Sequence, residues 1–214
     1  MKNLIQSLLL LGSLVTLLAL SSCKKDEPTP TPTPAFNGFT IGSQKYPISK
    51  GWYFPDEDDV FVIFASNTIS DNLTGTGNIL FGYFSRAENS DTLNTGIYAL
   101  SSSENPMTCD GFEVWLNSSL FDDVPNYSVE PVWNTNKTVS VAKESNKYVL
   151  TFSGLVAKDL NDVSATTSAN IKVPLRLYEG SHLGSKSSDM GLNDNQFHAL
   201  RQKLQKFRQR ATQR

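Results

Sequence analysis

Thr138-Val139-Ser140-Val141-Ala142, a turn around Glu144-Ser145-Asn146, and Tyr148-Val149-Leu150-Thr151-Phe152 decide the fold. Apolar and polar side chains alternate along the first run, which places them on opposite faces of an extended chain, and the second run is rich in β-branched and aromatic residues. Two such runs joined by a short polar turn read as a β-hairpin. A second hairpin is read at Phe39-Thr40-Ile41 and Lys45-Tyr46-Pro47-Ile48, around Gly42-Ser43-Gln44. Between the two lie Trp52–Phe54, Val60–Ala65, Ile79–Phe84, Gly96–Leu100 and Phe112–Leu116, and Ile171–Leu177 follows the second. About ten short strands with polar turns predict an all-β domain over residues 36–178, an antiparallel β-sandwich or, alternatively, a lipocalin-like barrel. Pro174 lacks an amide donor, so the last strand is expected at an edge or at a bulge.

The chain has 214 residues and a formal charge of −2 that is unevenly spread. Residues 36–191 carry 10 basic and 18 acidic side chains, whereas residues 192–214 carry 6 basic and 1 acidic. Such local fields act over roughly 8–10 Å, so the segments count separately. The acidic body argues against nucleic acid as a partner. With only Cys23 and Cys109 present, and Cys23 read as modified (below), no internal disulfide is expected. Cys109 reads as a small buried hydrophobe beside a strand.

The first 22 residues read as an export signal. Met1-Lys2-Asn3 is followed by an apolar run, Leu4 to Leu20, interrupted at Gly12 and Ser13. That run falls just short of the roughly 20 residues a spanning helix needs. Leu20-Ser21-Ser22-Cys23 directly after it resembles the lipobox of bacterial lipoproteins. The resemblance implies cleavage before Cys23 and lipid on its sulfur, with palmitate-type acyl chains as the membrane anchor. Several chains at about 0.8 kcal/mol per buried CH₂ give stable anchoring, where one chain is marginal. Lys24 stands where that family's inner-membrane retention signal has Asp, and Lys24-Lys25-Asp26-Glu27 resembles a surface-export signal of some Gram-negative lipoproteins. Both point to the outer membrane, at its periplasmic face or at the cell surface. Pro28-Thr29-Pro30-Thr31-Pro32-Thr33-Pro34 then enforces an extended backbone, so residues 23–35 form a tether with a reach of roughly 35–40 Å.

The order Phe39-Thr40-Ile41-Gly42, Tyr46-Pro47-Ile48, Gly96-Ile97-Tyr98 and the Thr138–Phe152 hairpin resembles uncharacterised all-β cell-surface lipoproteins of Gram-negative bacteria. The resemblance covers most of residues 36–178 and implies no catalytic activity. Those proteins tend to stop near their last strand, whereas this chain continues.

Candidate sites are few. Asp56, Glu57, Asp58 and Asp59 form the densest acidic group and would offer oxygen ligands to Ca²⁺. They lack the spacing of an EF-hand loop, so a solvated turn is the expected reading. Trp52, Trp115 and Trp133 would suit a sugar-stacking platform if exposed, although strand aromatics more often fill a core. Asn72, Asn117, Asn126 and Asn136 fall in Asn-x-Ser/Thr triplets and read as turn residues in a bacterial chain. There is no phosphate loop, no metal-spaced His/Cys set and no Gly-x-Ser-x-Gly, and the two histidines, His182 and His198, lie near the C-terminus. The chain therefore reads as a non-enzymatic binding or structural lipoprotein, with no cofactor, whose partner is a glycan or an envelope component. The alternative is a surface glycan-binding protein or a carboxylate-based glycan hydrolase.

Residues 179–191 are rich in Gly and Ser and read as a linker. In residues 192–214 the pattern becomes helical. Asn193 and Gln196 form a capping box, and Leu192 and Phe197 a hydrophobic staple. Phe197, Leu200, Leu204 and Phe207 recur at helical spacing on an arc of roughly 80°. Arg201 and Arg208 border one side of this stripe, and Lys203 and Arg210 the other. Three roles are open to such a basic amphipathic helix: docking on the β domain, self-association, or lying on an anionic membrane surface.

Overall fold

The computed structural model describes residues 35–56, 59–85, 92–103, 105–120, 122, 124–177 and 202. The chain divides into two compact units, Met1–Ala35 and Phe36–Arg214. The signal segment, Cys23 and nearly all of the tether lie outside the described residues. So do the 179–191 linker and the stripe Phe197, Leu200, Leu204 and Phe207.

Strands make up most of the described residues of the second unit. β1 (Gly38–Ile41), β2 (Gln44–Pro47), β3 (Lys50–Asp56) and β4 (Asp59–Ala65) follow one another closely. Next come β5 (Gly77–Ser85), β6 (Gly96–Leu100), β7 (Thr108–Ser118) and β8 (Tyr127–Val129). After a single 3-10 turn at Pro131–Trp133 come β9 (Thr138–Glu144), β10 (Lys147–Asp159), β11 (Ser164–Val173) and β12 (Leu175–Leu177). The hairpin read first from the sequence is β9–β10, with Glu144 opposite Lys147. Its two-residue turn puts Ser145 at φ 56°, the left-handed conformation that such tight turns demand.

All twelve strands belong to one sheet, in the order β12-β3-β4-β5-β7-β6-β9-β10-β11-β1-β2, with β8 bridging β7 and β10. The expectation of antiparallel pairing throughout is corrected at two places: β6–β7 and β12–β3 are parallel. In the first, the chain loops back after Leu100 and begins β7 alongside the end of β6 (Ala99 opposite Thr108). In the second, Pro174 is the cause. It separates β11, paired with β10 and β1, from β12, paired with β3, so one run of chain changes partner where the amide donor is missing. Pro55 sits inside β3, beyond the last β12 pairing at Tyr53, where the outer edge has no ladder to complete.

Two apolar clusters result. The larger draws Phe39, Val62, Phe84, Tyr98, Phe112, Val139, Leu150 and Ile171 from strands spread across the whole sheet. It is therefore the main core of the unit, on one face of the sheet. Phe112 packs at a tilt against Phe152 (4.9 Å between centroids) and Phe84 meets Tyr98 edge-on (5.1 Å). The smaller cluster occupies the opposite face of β3, β4, β5 and β7: Trp52, Phe54, Phe61, Ile63, Ala65, Ile79, Phe81, Tyr83 and Trp115. Ile69 and Leu73 of the loop after β4, and Leu120 after β7, complete it.

Charge pins that loop. Lys50 Nζ donates to the Ile69 carbonyl (2.8 Å) and meets Asp71 Oδ1 (3.0 Å), while Arg176 Nη1 reaches Asp71 Oδ2 (2.9 Å). Hydrogen bonding to Lys50 first, then to Arg176, holds the Asp71 carboxyl below the usual carboxylate range. A depressed folded pKa means that its stabilising contribution is present above the unfolded value of 3.8 and is lost as pH falls through the folded value. The NMR titration midpoint of Asp71 is expected below 3.8, and it should move up in Lys50→Met and less far in Arg176→Gln. A midpoint unchanged by Lys50→Met would reject this assignment.

Candidate binding surface

The structure distributes the sequence-named residues unevenly. Trp52 and Trp115 are buried in the outer cluster, which removes them from any sugar platform. The acidic group Asp56–Asp59 is the β3–β4 turn, with Asp56 paired to Asp59. Asp59 accepts a hydrogen bond from the Tyr83 hydroxyl. Glu57, Asp58 and the side chain of Asp56 lie outside the described residues. Among the described residues, no cluster of three or more His, Cys, Asp or Glu is placed to hold a metal. No helix among them is long and apolar enough to cross a membrane. Cys109 is fully buried in the interior cluster, and burial pushes its thiol pKa up, so it packs as a protonated hydrophobe. Burial also raises the Tyr98 hydroxyl pKa, with the neighbouring Cys109 adding to it; that hydroxyl donates to the Asn94 carbonyl (2.9 Å). The triplet asparagines stand in turns and at strand ends: Asn117 and Asn136 are left-handed, and Asn126 Oδ1 accepts from the Leu116 amide (2.6 Å).

Two surface features stand out, and they take in Asn136 and Trp133, named above from the sequence. The first is a recess where β9 parts from β10. The β9–β10 ladder ends at Ser140 opposite Thr151, and β9 continues beside β6, with Thr138 opposite Ala99. Meanwhile β10 bends at an irregularity between Phe152 and Leu155, where Gly154 has φ 63°. The gap holds a depression of about 490 Å³ lined by Asn136, Lys137, Thr138, Ser140, Thr151, Phe152, Ser153 and Ala169. Buried Asn134 braces the strand beyond it. Its amide donates to the Val156 carbonyl (3.0 Å) and accepts from the Val156 amide (2.7 Å), standing in for a missing neighbour strand. The lining offers hydroxyls, one carboxamide and one ammonium around an aromatic edge. That chemistry suits a hydroxyl-rich ligand.

The second feature is an apolar rim. β8 pairs Tyr127 and Ser128 with Asp159 and Lys158, which joins the Pro131–Trp133 turn to the β10–β11 connection. Lys158 lies over the half-buried Trp133 ring at 4.6 Å and pairs with Asp162 at 3.0 Å. Leu160 (73% exposed), Val132 (67%) and Val163 (61%) project from these two turns. Asp159 Oδ1 accepts from the amides of Asn161 (2.8 Å) and Val163 (2.9 Å), so the tip that displays them is internally braced.

Neither feature was visible locally. The recess is assembled from residues 136–138, 140, 151–153 and 169, which meet only through strand pairing. A sequence signal for it is Gly154, a glycine inside a strand pattern, which marks a bulge. Comparison of the chain with protein-family models, curated proteins and solved structures finds no match.

Proposed function

We propose that the chain is a lipid-anchored protein of the outer membrane whose β unit is a non-enzymatic binding or structural module. The observation that carries this reading is Leu20-Ser21-Ser22-Cys23, placed directly after an apolar run and directly before a proline-rich tether. The tether read from the sequence ends at Ala35, and β1 begins three residues later at Gly38. We read that unit as a closed barrel in preference to a two-sheet sandwich. The run β11–β12 pairs with β10 on one side and with β3 on the other, so the ladder returns to its own start.

Glycan capture is a second reading, favoured by the hydroxyl and amide lining of the recess. The residues lining that recess include no carboxylate, which favours binding over hydrolysis there. The location is tested by fractionating cells that make the full chain. Recovery in the outer-membrane fraction, with release by detergent and not by high salt, is the expected result. Recovery as soluble periplasmic or secreted protein would reject it. A glycan array probed with the same chain tests the second reading, which predicts signal that weakens in Lys137→Ala.

A further inference from the structure

Strands β3, β4, β5 and β7 are apolar on both sides, and the side facing away from the interior cluster is the more aromatic. Phe61 lies 4.8 Å from Tyr83 and 5.8 Å from Phe81, and Phe81 meets Trp115 edge-on at 6.3 Å, measured between ring centroids. Phe61, Phe81 and Trp115 are fully buried. Side chains on an outer sheet face reach that state only beneath a cover. Among the described residues, the apolar side chains that join this face from outside its strands are Ile69, Leu73 and Leu120. They enter from loops beside Ala65, Gly77 and Ser118, at one end of the face. Phe54, Phe61 and Tyr83 line up across its other end.

We propose that the seat formed by Phe61, Phe81, Tyr83 and Trp115 is filled by the chain's own C-terminal segment, Leu192–Arg214, with Phe197, Leu200, Leu204 and Phe207 facing the sheet. Dimensions agree. From Phe197 to Phe207 a helix advances about 15 Å at 1.5 Å per residue. Four strands spaced about 4.8 Å apart measure about 14 Å between their outer axes. Attachment agrees as well. The chain leaves β12 at Leu177, opposite Tyr53 on β3, and β3 is one margin of the face. Residues 178–191 would span up to about 45 Å if extended, more than the face requires. Charge is complementary: Glu113, opposite Phe81, and Asp59, at the Tyr83 end, are carboxylates on this face, and Arg201 and Arg208 border the stripe. Gln202, the described residue of the segment, is helical and exposed, as its position opposite the stripe requires.

Site-directed photo-cross-linking tests the arrangement in the full-length chain without disrupting it. A benzophenone amino acid replacing Leu200 is expected to give intramolecular cross-links to peptides of β4, β5 or β7, and one replacing Gln202 is expected to give none to those peptides. Cross-links only between chains would hand the face to a second copy and overturn the proposal. Capture only by added anionic vesicles, or an equal pattern from both positions, would overturn it too. As a second readout, hydroxyl-radical labelling of Phe81 and Trp115 should rise several-fold in Leu204→Asp. Unchanged labelling in a variant that still melts cooperatively would count against the proposal.

Discussion

Gly111→Ala is expected to be among the most damaging single substitutions in the β unit. Tyr83 pairs with Gly111 but Phe84 pairs with Cys109, so Asp110 is the extra residue of a bulge in β7 and Gly111 carries its bend. Gly111 has φ 120°, and a Cβ there would stand 2.1 Å from the Val129 carbonyl oxygen. That oxygen belongs to β8, whose pairing with Phe112 begins at the next residue, so the backbone would have to part there. Backbone strain of about 1–3 kcal/mol and overpacking of about 1–3 kcal/mol act together at this one position. Against a typical total of about 5–15 kcal/mol the loss is large. At roughly 2–4 °C per kcal/mol the melting temperature should fall by on the order of 10 °C. Gly154→Ala is the control: its φ is also positive, at 63°, but nothing lies within 4 Å of the added carbon, so only strain applies. Equal melting of the two variants would remove the close approach of β8 from this account.

Removal of residues 192–214 is expected to have an effect of similar size if those residues cover the outer face. The stripe contributes four large apolar side chains, each worth about 1.5–3 kcal/mol when buried. An isolated helix of this length would be marginal in water, so the helix and the face stabilise each other. The truncated chain should melt lower by on the order of 10 °C, bind a dye specific for exposed apolar surface, and label more readily at Phe61, Phe81 and Trp115. Unchanged melting and labelling of the truncated chain would show that the face is covered by other means.

Much of the strand pattern was legible because apolar runs bounded by turn residues are local signals. Val60–Ala65, Ile79–Phe84, Gly96–Leu100 and both hairpins appear as β4, β5, β6, β1–β2 and β9–β10. The first seven residues of β11, Ser164–Asn170, were missed because the buried positions there are Thr167 and Ala169, residues too small or too polar to mark a core face. β8 was missed because its three residues gain stability only from pairing with β7 and β10. The outer apolar cluster did leave a signal. In Val60-Phe61-Val62-Ile63-Phe64-Ala65 no polar residue interrupts the run, the mark of a strand buried on both faces. Pro174 was read as an edge or bulge, and it proves to be the point at which one run of chain leaves β10 and β1 for β3. The partner exchange depends on residues 51–53, more than a hundred positions away, and no local pattern encodes it. Strand pairing likewise hides the recess, whose chemistry is spread over three strands between Asn136 and Ala169.

The anchoring claim rests on a short motif and is open to a direct measurement. Cells making the full chain are labelled with a radioactive or clickable fatty acid, and the N-terminal peptide of the membrane-extracted protein is identified by mass spectrometry. The account predicts a mature chain that begins at Cys23 and carries acyl chains on that residue, and a Cys23→Ala variant that takes no label and accumulates as uncleaved precursor. A Cys23→Ala protein that is processed and retained in the membrane like the parent would contradict it.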